Sequence, residues 1–307
     1  MSEAAAGGPP WPGGAAWMNG RYIPVEEATI SVLDLGVTRS DGTYDVVHVW
    51  DGRFFRLDAH LDRFMESRAR LRLDPGYDRS QIEDILHGCV RHAGLREAYV
   101  SMTCTRGRMP PGSRDLRTAR PTFYCYVVPF IWISNPERQQ TGASLWISDV
   151  LRIPSASVDP RVKNYHWLDL DMALLDAYDH GADLVALTDR SGAITEGPGY
   201  NIFAWTGGRW LTPDRETLVG VTRRTTIELA RRAGQPVEEG RLSIGNLRMA
   251  AEVLATSTAG GIMPVTTVDG KPVGDGKPGP LTTQLRDLYW ASHSDPRYAT
   301  PVRYDEP

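Results

Sequence analysis

Short alternating apolar and polar runs, broken by Asn-Gly and Asp-Gly pairs, open this chain and predict antiparallel strands joined by tight turns. "AWMNGRYIPV" carries the Asn19–Gly20 hairpin signal, and "TYDVVHVWDGRFFRLD" carries Asp51–Gly52 between two apolar-rich runs. The period then lengthens. A helix is expected from about Asp58, with Leu61, Phe64 and Met65 on one face, and a second is opened by a capping box at Ser80 and Glu83. The second helix carries the stripe Ile82, Ile85, Leu86, Cys89, Val90, Ala93 and stops at Gly94, so both helices are expected to cover one face of the sheet. Alternation returns in "EAYVSMTC" and in "FYCYVVPFIWI" at 123–133, separated by the Gly/Pro/Arg-rich "TRGRMPPGSRDLRTAR".

The polar, Pro-containing "SNPERQQTG" at 134–142 has the composition of a linker. Beyond it, helical runs ("LDLDMALLDAYDHG", "TRRTTIELARRAG", "LTTQLRDLYWASH") mix with strands and hairpins ("DLVALTDRSGAITEG", "NIFAWTGGRWLTP", "AEVLATST", "IMPVTTVDGKPV"), without a fixed repeat or a βαβ rhythm. The expected organisation is a disordered arm over 1–15, a small domain over 16–133, a linker over 134–142 and a large domain over 143–307. The fold class is α+β or mixed α/β.

Composition narrows the function. The 307 residues are 41% hydrophobic, enough for two cores, and 34 basic residues are interspersed with 38 acidic ones for a formal charge of −4. No basic stripe suits a phosphate backbone, so nucleic acid is not an expected partner. Cys89, Cys104 and Cys125 show no metal-ligand spacing, no metal is expected, and a reducing cytoplasmic setting follows from their odd number. "MSEAAAGGPPWPGGAA" lacks the basic and apolar regions of a signal peptide, and the longest apolar run falls short of the roughly 20 residues that span a bilayer.

Lysine is scarce: only Lys163, Lys271 and Lys277 occur, and the last two lie in the turn-rich "DGKPVGDGKPGP". Lys163, ahead of an apolar helix in "PRVKNYHWLDLD", is either a surface lysine or an amine nucleophile. Glu196, in the bend "ITEGPGYNIF", either faces solvent or holds a proton on a heterocyclic nitrogen. Val221 and Thr222, at the start of a helix in "LVGVTRRTTIELA", offer backbone N–H groups and a hydroxyl to an anion, although Thr222 also reads as an ordinary N-cap. "ATSTAGGIMP" adds the hydroxyls of Ser257 and Thr258. Dinucleotide, P-loop, zinc-protease and serine-hydrolase motifs are missing from the sequence.

Taken in order, "SDGTYDVVHVWDGRFFRLDAHLDRF", "VKNYHWLDL", "TEGPGYNIF", "GVTRR" and "TAGGIMPVTTVDG" resemble the marker segments of the fold-type IV pyridoxal-phosphate enzymes, most closely the (R)-selective amine transaminases. The resemblance runs from about Trp17 onward. It implies a two-domain enzyme with pyridoxal 5'-phosphate as cofactor, a site near a subunit interface, and hence a homodimer. It makes Lys163 the catalytic amine and proton shuttle and Glu196 the partner of the pyridine nitrogen. Arg63, Val221, Thr222 and Thr258 become the phosphate ligands, with Ser257 kept as a further cofactor-binding candidate from its own motif.

The same resemblance places Tyr44, Val46, Tyr99, Ser101, Trp167 and Ala259 around the substrate. Arg39 stands in "VTRSD" where the amine transaminases usually show histidine, and Ser101 where many have glutamate. An added cation and a missing carboxylate favour an anionic substrate group, unless Arg39 pairs with Asp41 or Asp45 instead. Arg108, Arg114 and Arg117 are candidates for a loop arginine that receives a carboxylate, with Arg114 preferred. The expected reaction moves an amino group from an (R)-amine or D-amino acid to a 2-oxo acid such as pyruvate. The alternatives are a lyase resembling aminodeoxychorismate lyase and a branched-chain amino acid aminotransferase.

Overall fold

The computed structural model describes residues 10–306, which divide into two compact units. The first comprises the chain up to Ile131, Val162–Tyr165 and the segment from His293 onward. Its elements are β1 (Ala15–Met18), β2 (Arg21–Pro24), α1 (Leu35–Arg39), β3 (Gly42–Trp50), β4 (Arg53–Phe55), α2 (Leu57–Arg70), α3 (Arg79–Ala93), β5 (Ala98–Arg108) and β6 (Arg120–Pro129), with a C-terminal strand at Ala299–Pro301. They form a seven-stranded sheet in the order C-terminal strand, β4, β3, β5, β6, β1, β2. Every pairing in it is antiparallel.

Both expected hairpins form. Asn19 and Gly20 have φ of 53° and 81°, and Asp51 and Gly52 have 47° and 71°, the left-handed pair that a two-residue turn between twisted strands needs. One face of the sheet carries Val47, Val49, Val100, Met102, Cys125 and Val127, packed against Leu61, Phe64, Ile82, Leu86 and Cys89 of α2 and α3. The capping box of α3 lies two residues earlier than expected: Asp78 accepts from the Gln81 N–H, and the Gln81 side chain accepts from the Asp78 N–H. Asp is a better match to the extended N-cap backbone than a serine already inside the helix. Gly94 ends α3 at φ 66° as expected.

The second unit comprises Trp132–Arg161 and His166–Ser292. It runs through α4 (Pro136–Thr141), β7 (Ala143–Leu151), α5 (Leu168–Asp179), β8 (Leu184–Thr188), β9 (Ala193–Ile194), β10 (Glu196–Gly197), β11 (Tyr200–Thr206), β12 (Arg209–Thr212), α6 (Val221–Arg232), β13 (Val237–Glu239), β14 (Leu242–Ser243), α7 (Ile244–Arg248), β15 (Glu252–Ser257), β16 (Gly261–Val268), β17 (Lys271–Pro272) and α8 (Pro280–Ala291). Its eleven-stranded sheet has a path β13-β12-β11-β15-β16-β7-β8-β9-β14, with β10 joined to β11 and β17 to β16. Parallel pairings of β7 with β8 and β16, and of β12 with β13, make it mixed.

The domain organisation differs from the expected one in four places. Residues 1–9 of the expected arm lie outside the described residues, but Trp11 donates its N–H to His92 O and Ala15 is fully buried in β1. The apolar run 123–133 is a strand only as far as Pro129. The expected linker 134–142 carries α4, capped by Asn135, with Gln139 buried and bonded to Gly260 O. Val162–Tyr165 and the C-terminal segment from His293 belong to the first unit rather than to a domain spanning 143–307. Among the described residues no helix is long and apolar enough to cross a membrane.

Candidate active site

In the first unit, β3 alternates two functions. Its Asp45 points to the helical side, where the carboxylate takes Arg63 Nε at 2.7 Å and Nη2 at 2.8 Å, His60 Nδ1 at 2.8 Å and its neighbour's Val46 N–H. Burial works against the charge of Asp45, but Arg63 and His60 outweigh it and hold the carboxyl well below its usual range. Burial also pushes His60 down, so its ring is neutral near pH 7. Arg63 is thereby fixed in plane by a two-pronged carboxylate contact.

The opposite face of the same sheet is aromatic and polar. Register places Tyr44 beside Thr103 and Tyr124, Val46 beside Ser101 and Tyr126, and His48 beside Tyr99. Lys163 attaches at the open edge of β3: its carbonyl accepts Thr43 Oγ1 at 2.6 Å and Tyr44 N–H at 3.2 Å, and Asn164 makes a bridge to Thr43. The Lys163 Nζ lies 4.5 Å from the centroid of the Tyr44 ring. Tyr165 stacks on Tyr44 at 4.4 Å and shares a hydrogen bond with Thr103. Burial raises the Tyr165 hydroxyl well above its ordinary value, which keeps it protonated. In an extended segment, residues two apart share a face, so the spacing of Tyr165 from Lys163 was a legible but unused signal.

Glu196 belongs to the second unit and does not face solvent; it is 6% exposed. Its Oε1 accepts Arg152 Nε at 3.1 Å, and its Oε2 accepts Thr217 Oγ1 at 3.1 Å and Leu218 N–H at 2.9 Å. A carboxylate has about four lone-pair sites. These donors leave room for one more N–H.

Arg152 also donates from Nη1 to Asp169 Oδ2 at 2.6 Å, and that oxygen takes Ile153 N–H as well. Burial disfavours the Arg152 cation, yet Glu196 and Asp169 raise its pKa above the ordinary value. Sequence reading missed Arg152, Asp169 and Thr217, because no local motif ties an arginine after one strand to acids in a distant helix and bend.

Register carries Glu196 opposite Asn201 and Asn201 opposite Thr256, so the three occupy one face of β10, β11 and β15. Asn201 Nδ2 binds Thr217 Oγ1 and Leu218 O, fixing the loop that enters α6. A Cβ at Gly220 would lie 2.1 Å from Asn201 Oδ1, so glycine lets that loop approach without displacing the Asn201 side chain. No side chain caps α6 among the described residues, and Thr222 is not its N-cap but lies in its first turn. The first N–H groups of the helix, including those of Val221 and Thr222, are thus suited to an anion.

Thr256 Oγ1 is buried without a hydrogen-bond partner among the described residues. An uncapped helix start and an unsatisfied hydroxyl on this face fit a phosphate-bearing ligand. Ser257 differs: its hydroxyl donates to Gly199 O and accepts Ala259 N–H, which commits it to the β15–β16 turn. Thr258 lies half-buried in that turn, and Ala259 O accepts Ile133 N–H. Trp167 precedes α5 and approaches Gly199.

The expected substrate arginines are exposed. Arg39 ends α1 and makes no ion pair or hydrogen bond among the described residues; its proposed alternatives are taken, Asp41 by Arg106 through two bonds of 2.8 and 3.0 Å, and Asp45 by Arg63. Arg108 ends β5, and Arg114 and Arg117 lie in the loop that follows; all three are exposed, and Arg117 pairs with Asp115.

Fold and site together are those of an aminotransferase. A solved branched-chain amino acid aminotransferase from T.th., with pyridoxamine 5'-phosphate, superimposes with a TM-score of 0.89 at 27% identity, over 95% of this chain and 100% of that one. In sequence, a Methanocaldococcus jannaschii protein provisionally named a branched-chain-amino-acid aminotransferase is 30% identical over 89% of this chain and 94% of its own. A D-alanine aminotransferase of Listeria monocytogenes is 29% identical over 89% and 93%.

Residues 42–268 match the amino-transferase class IV family, and the chain belongs to it: it is a pyridoxal-phosphate-dependent transaminase of that class. The fold-type IV expectation is met at this level. The named relatives are branched-chain and D-alanine enzymes rather than (R)-amine transaminases.

Proposed function

We propose that this aminotransferase takes its amino group from a carboxylate-bearing donor, a D-amino acid of the D-alanine kind before an uncharged (R)-amine, and delivers it to a 2-oxo acid such as pyruvate. Bound pyridoxal phosphate supplies an aldehyde and an electron-accepting ring. The chain's own groups do the rest in this reading. Lys163 would hold the cofactor covalently and move the proton at the donor's α-carbon. Glu196 would accept the ring N–H at its remaining lone pair. The N–H groups of Val221 and Thr222, the hydroxyls of Thr222 and Thr258, and Arg63 hold the phosphate, while Tyr44, Val46, Tyr99, Ser101, Trp167 and Ala259 contact the substrate.

The observation that carries the donor class is Arg39, an exposed guanidinium whose two candidate partners in sequence, Asp41 and Asp45, are engaged by Arg106 and Arg63. A second reading is supported by the branched-chain names among the relatives and solved structures, and it makes L-leucine the donor. Half-reactions on purified holoenzyme separate the readings: D-alanine, (R)-1-phenylethylamine and L-leucine are offered singly, and loss of the near-visible absorbance of the lysine-bound cofactor is followed. Bleaching by D-alanine ahead of the other two is the expected result, and bleaching by L-leucine alone overturns it. Turnover that needs no 2-oxo acid would instead point to a lyase.

A further inference from the structure

We propose that Asp169, acting through Arg152, is a positioning residue that sets how strongly the cofactor's ring nitrogen holds its proton at Glu196. The inference rests on the reading of Glu196 given above. Arg152 reaches Glu196 with Nε and Asp169 with Nη1, and the side chains of all three are 7–8% exposed, where charges are poorly screened. Arg152 alone would neutralise Glu196 and weaken its hold on a cationic ring. Asp169 returns the cluster to a net charge of minus one, the complement of a single pyridinium.

The other groups that bond to Glu196 are neutral: the hydroxyl of Thr217 and the backbone N–H of Leu218, with Asn201 beside it across the β10–β11 pairing. The charge is therefore controlled from the Arg152 side. Geometry also shows how to remove it cleanly. Asp169 Oδ2 carries both bonds, to Arg152 and to Ile153 N–H, while Oδ1 has no partner among the described residues. In Asp169→Asn the amide oxygen can keep both bonds and the NH2 can occupy the unpartnered position, so the substitution changes charge with little change of shape.

The test is competition between pyridoxal phosphate and its 1-deaza analogue, in which C–H replaces the ring nitrogen, for wild type, Asp169→Asn and Glu196→Gln. The readout is the ratio of the two affinities, which a general loss of folding or of phosphate binding leaves unmoved. Asp169→Asn is expected to lower the preference for the nitrogen ring by about tenfold, as for one charge removed across a hydrogen-bonded arginine in a dry interior. Glu196→Gln should lower it further.

A ratio unchanged in Asp169→Asn but lowered in Glu196→Gln overturns the role of Asp169 and leaves the Glu196 reading standing. Equal losses for both ligands in Asp169→Asn show a structural role only. A ratio unchanged in Glu196→Gln removes the Glu196 reading itself, and this inference with it.

Discussion

A residue's chemistry here follows from what occupies its neighbours. Lys163 stands out in sequence by scarcity, and in structure by a carbonyl tied to Thr43 and Tyr44 that leaves its side chain over an aromatic face. Borohydride reduction of the yellow holoenzyme, followed by peptide mass analysis, should place the cofactor on Lys163; Lys163→Ala should lose the covalent adduct, while Lys271→Ala and Lys277→Ala keep it. An adduct on either loop lysine would refute the assignment. Arg39→Ala should weaken D-alanine in kcat/KM by about 1.5–3 kcal/mol, the range for hydrogen bonds to charged groups, and (R)-1-phenylethylamine much less. An equal change for both donors would show that Arg39 does not read the carboxylate. Lys163, Glu196 and Thr222 stand out as candidates in sequence because each sits in a compact local motif. Asp45 could not: its role depends on α2 bringing His60 and Arg63 to the same carboxylate.

Elements were legible where local pattern and tertiary packing agree, and least so at their ends. The stripe from Ile82 to Ala93 is buried as its period requires, whereas the cap moved to Asp78, since a carboxylate and a hydroxyl close together in the chain give the same sequence signal. Asp78→Ala should cost about 1 kcal/mol in denaturant unfolding, and Ser80→Ala should cost little. β7 is not anticipated, because it starts directly after Gly142, the φ 85° cap that ends α4, inside a stretch whose polar composition reads as linker.

On α3, His87 is buried edge-on to Phe54, and its Nδ1 accepts Arg303 N–H, an arrangement only the neutral ring can make. Burial first, and then Arg303, lowers its pKa to about 4. Above about pH 6.5 the ring is neutral in folded and unfolded chains alike. Between 6.5 and 4 the unfolded chain takes up a proton that the folded one does not, so this contribution to stability falls by about 1.4 kcal/mol per pH unit as acid is added. Urea titrations at pH 7 and 5 should show that loss in wild type and a smaller one in His87→Gln.

At the scale of the whole molecule, we propose a homodimer, on the resemblance carried by the sequence motifs and on a chain rich in aromatics, with 9 tryptophans and 12 tyrosines. Sedimentation equilibrium should give twice the 34.0 kDa chain mass, and full activity at the monomer mass would exclude it. The two-unit plan was visible in sequence as a change of composition near residue 134, but the returns of Val162–Tyr165 and of the C-terminal segment to the first unit were not, because nothing local marks a strand whose partner is far away. That last return has a consequence during synthesis. β4 pairs with Ala299–Pro301, and the rings of Phe55 and His293 stack at 4.0 Å. At ribosomal rates, roughly 10–50 s separate the appearance of Phe55 from that of Ala299. Throughout that interval the nascent chain presents the outer edge of β4 without its native partner strand, an invitation to cross-pairing between neighbouring polysomes that a chaperone at the tunnel exit is placed to block.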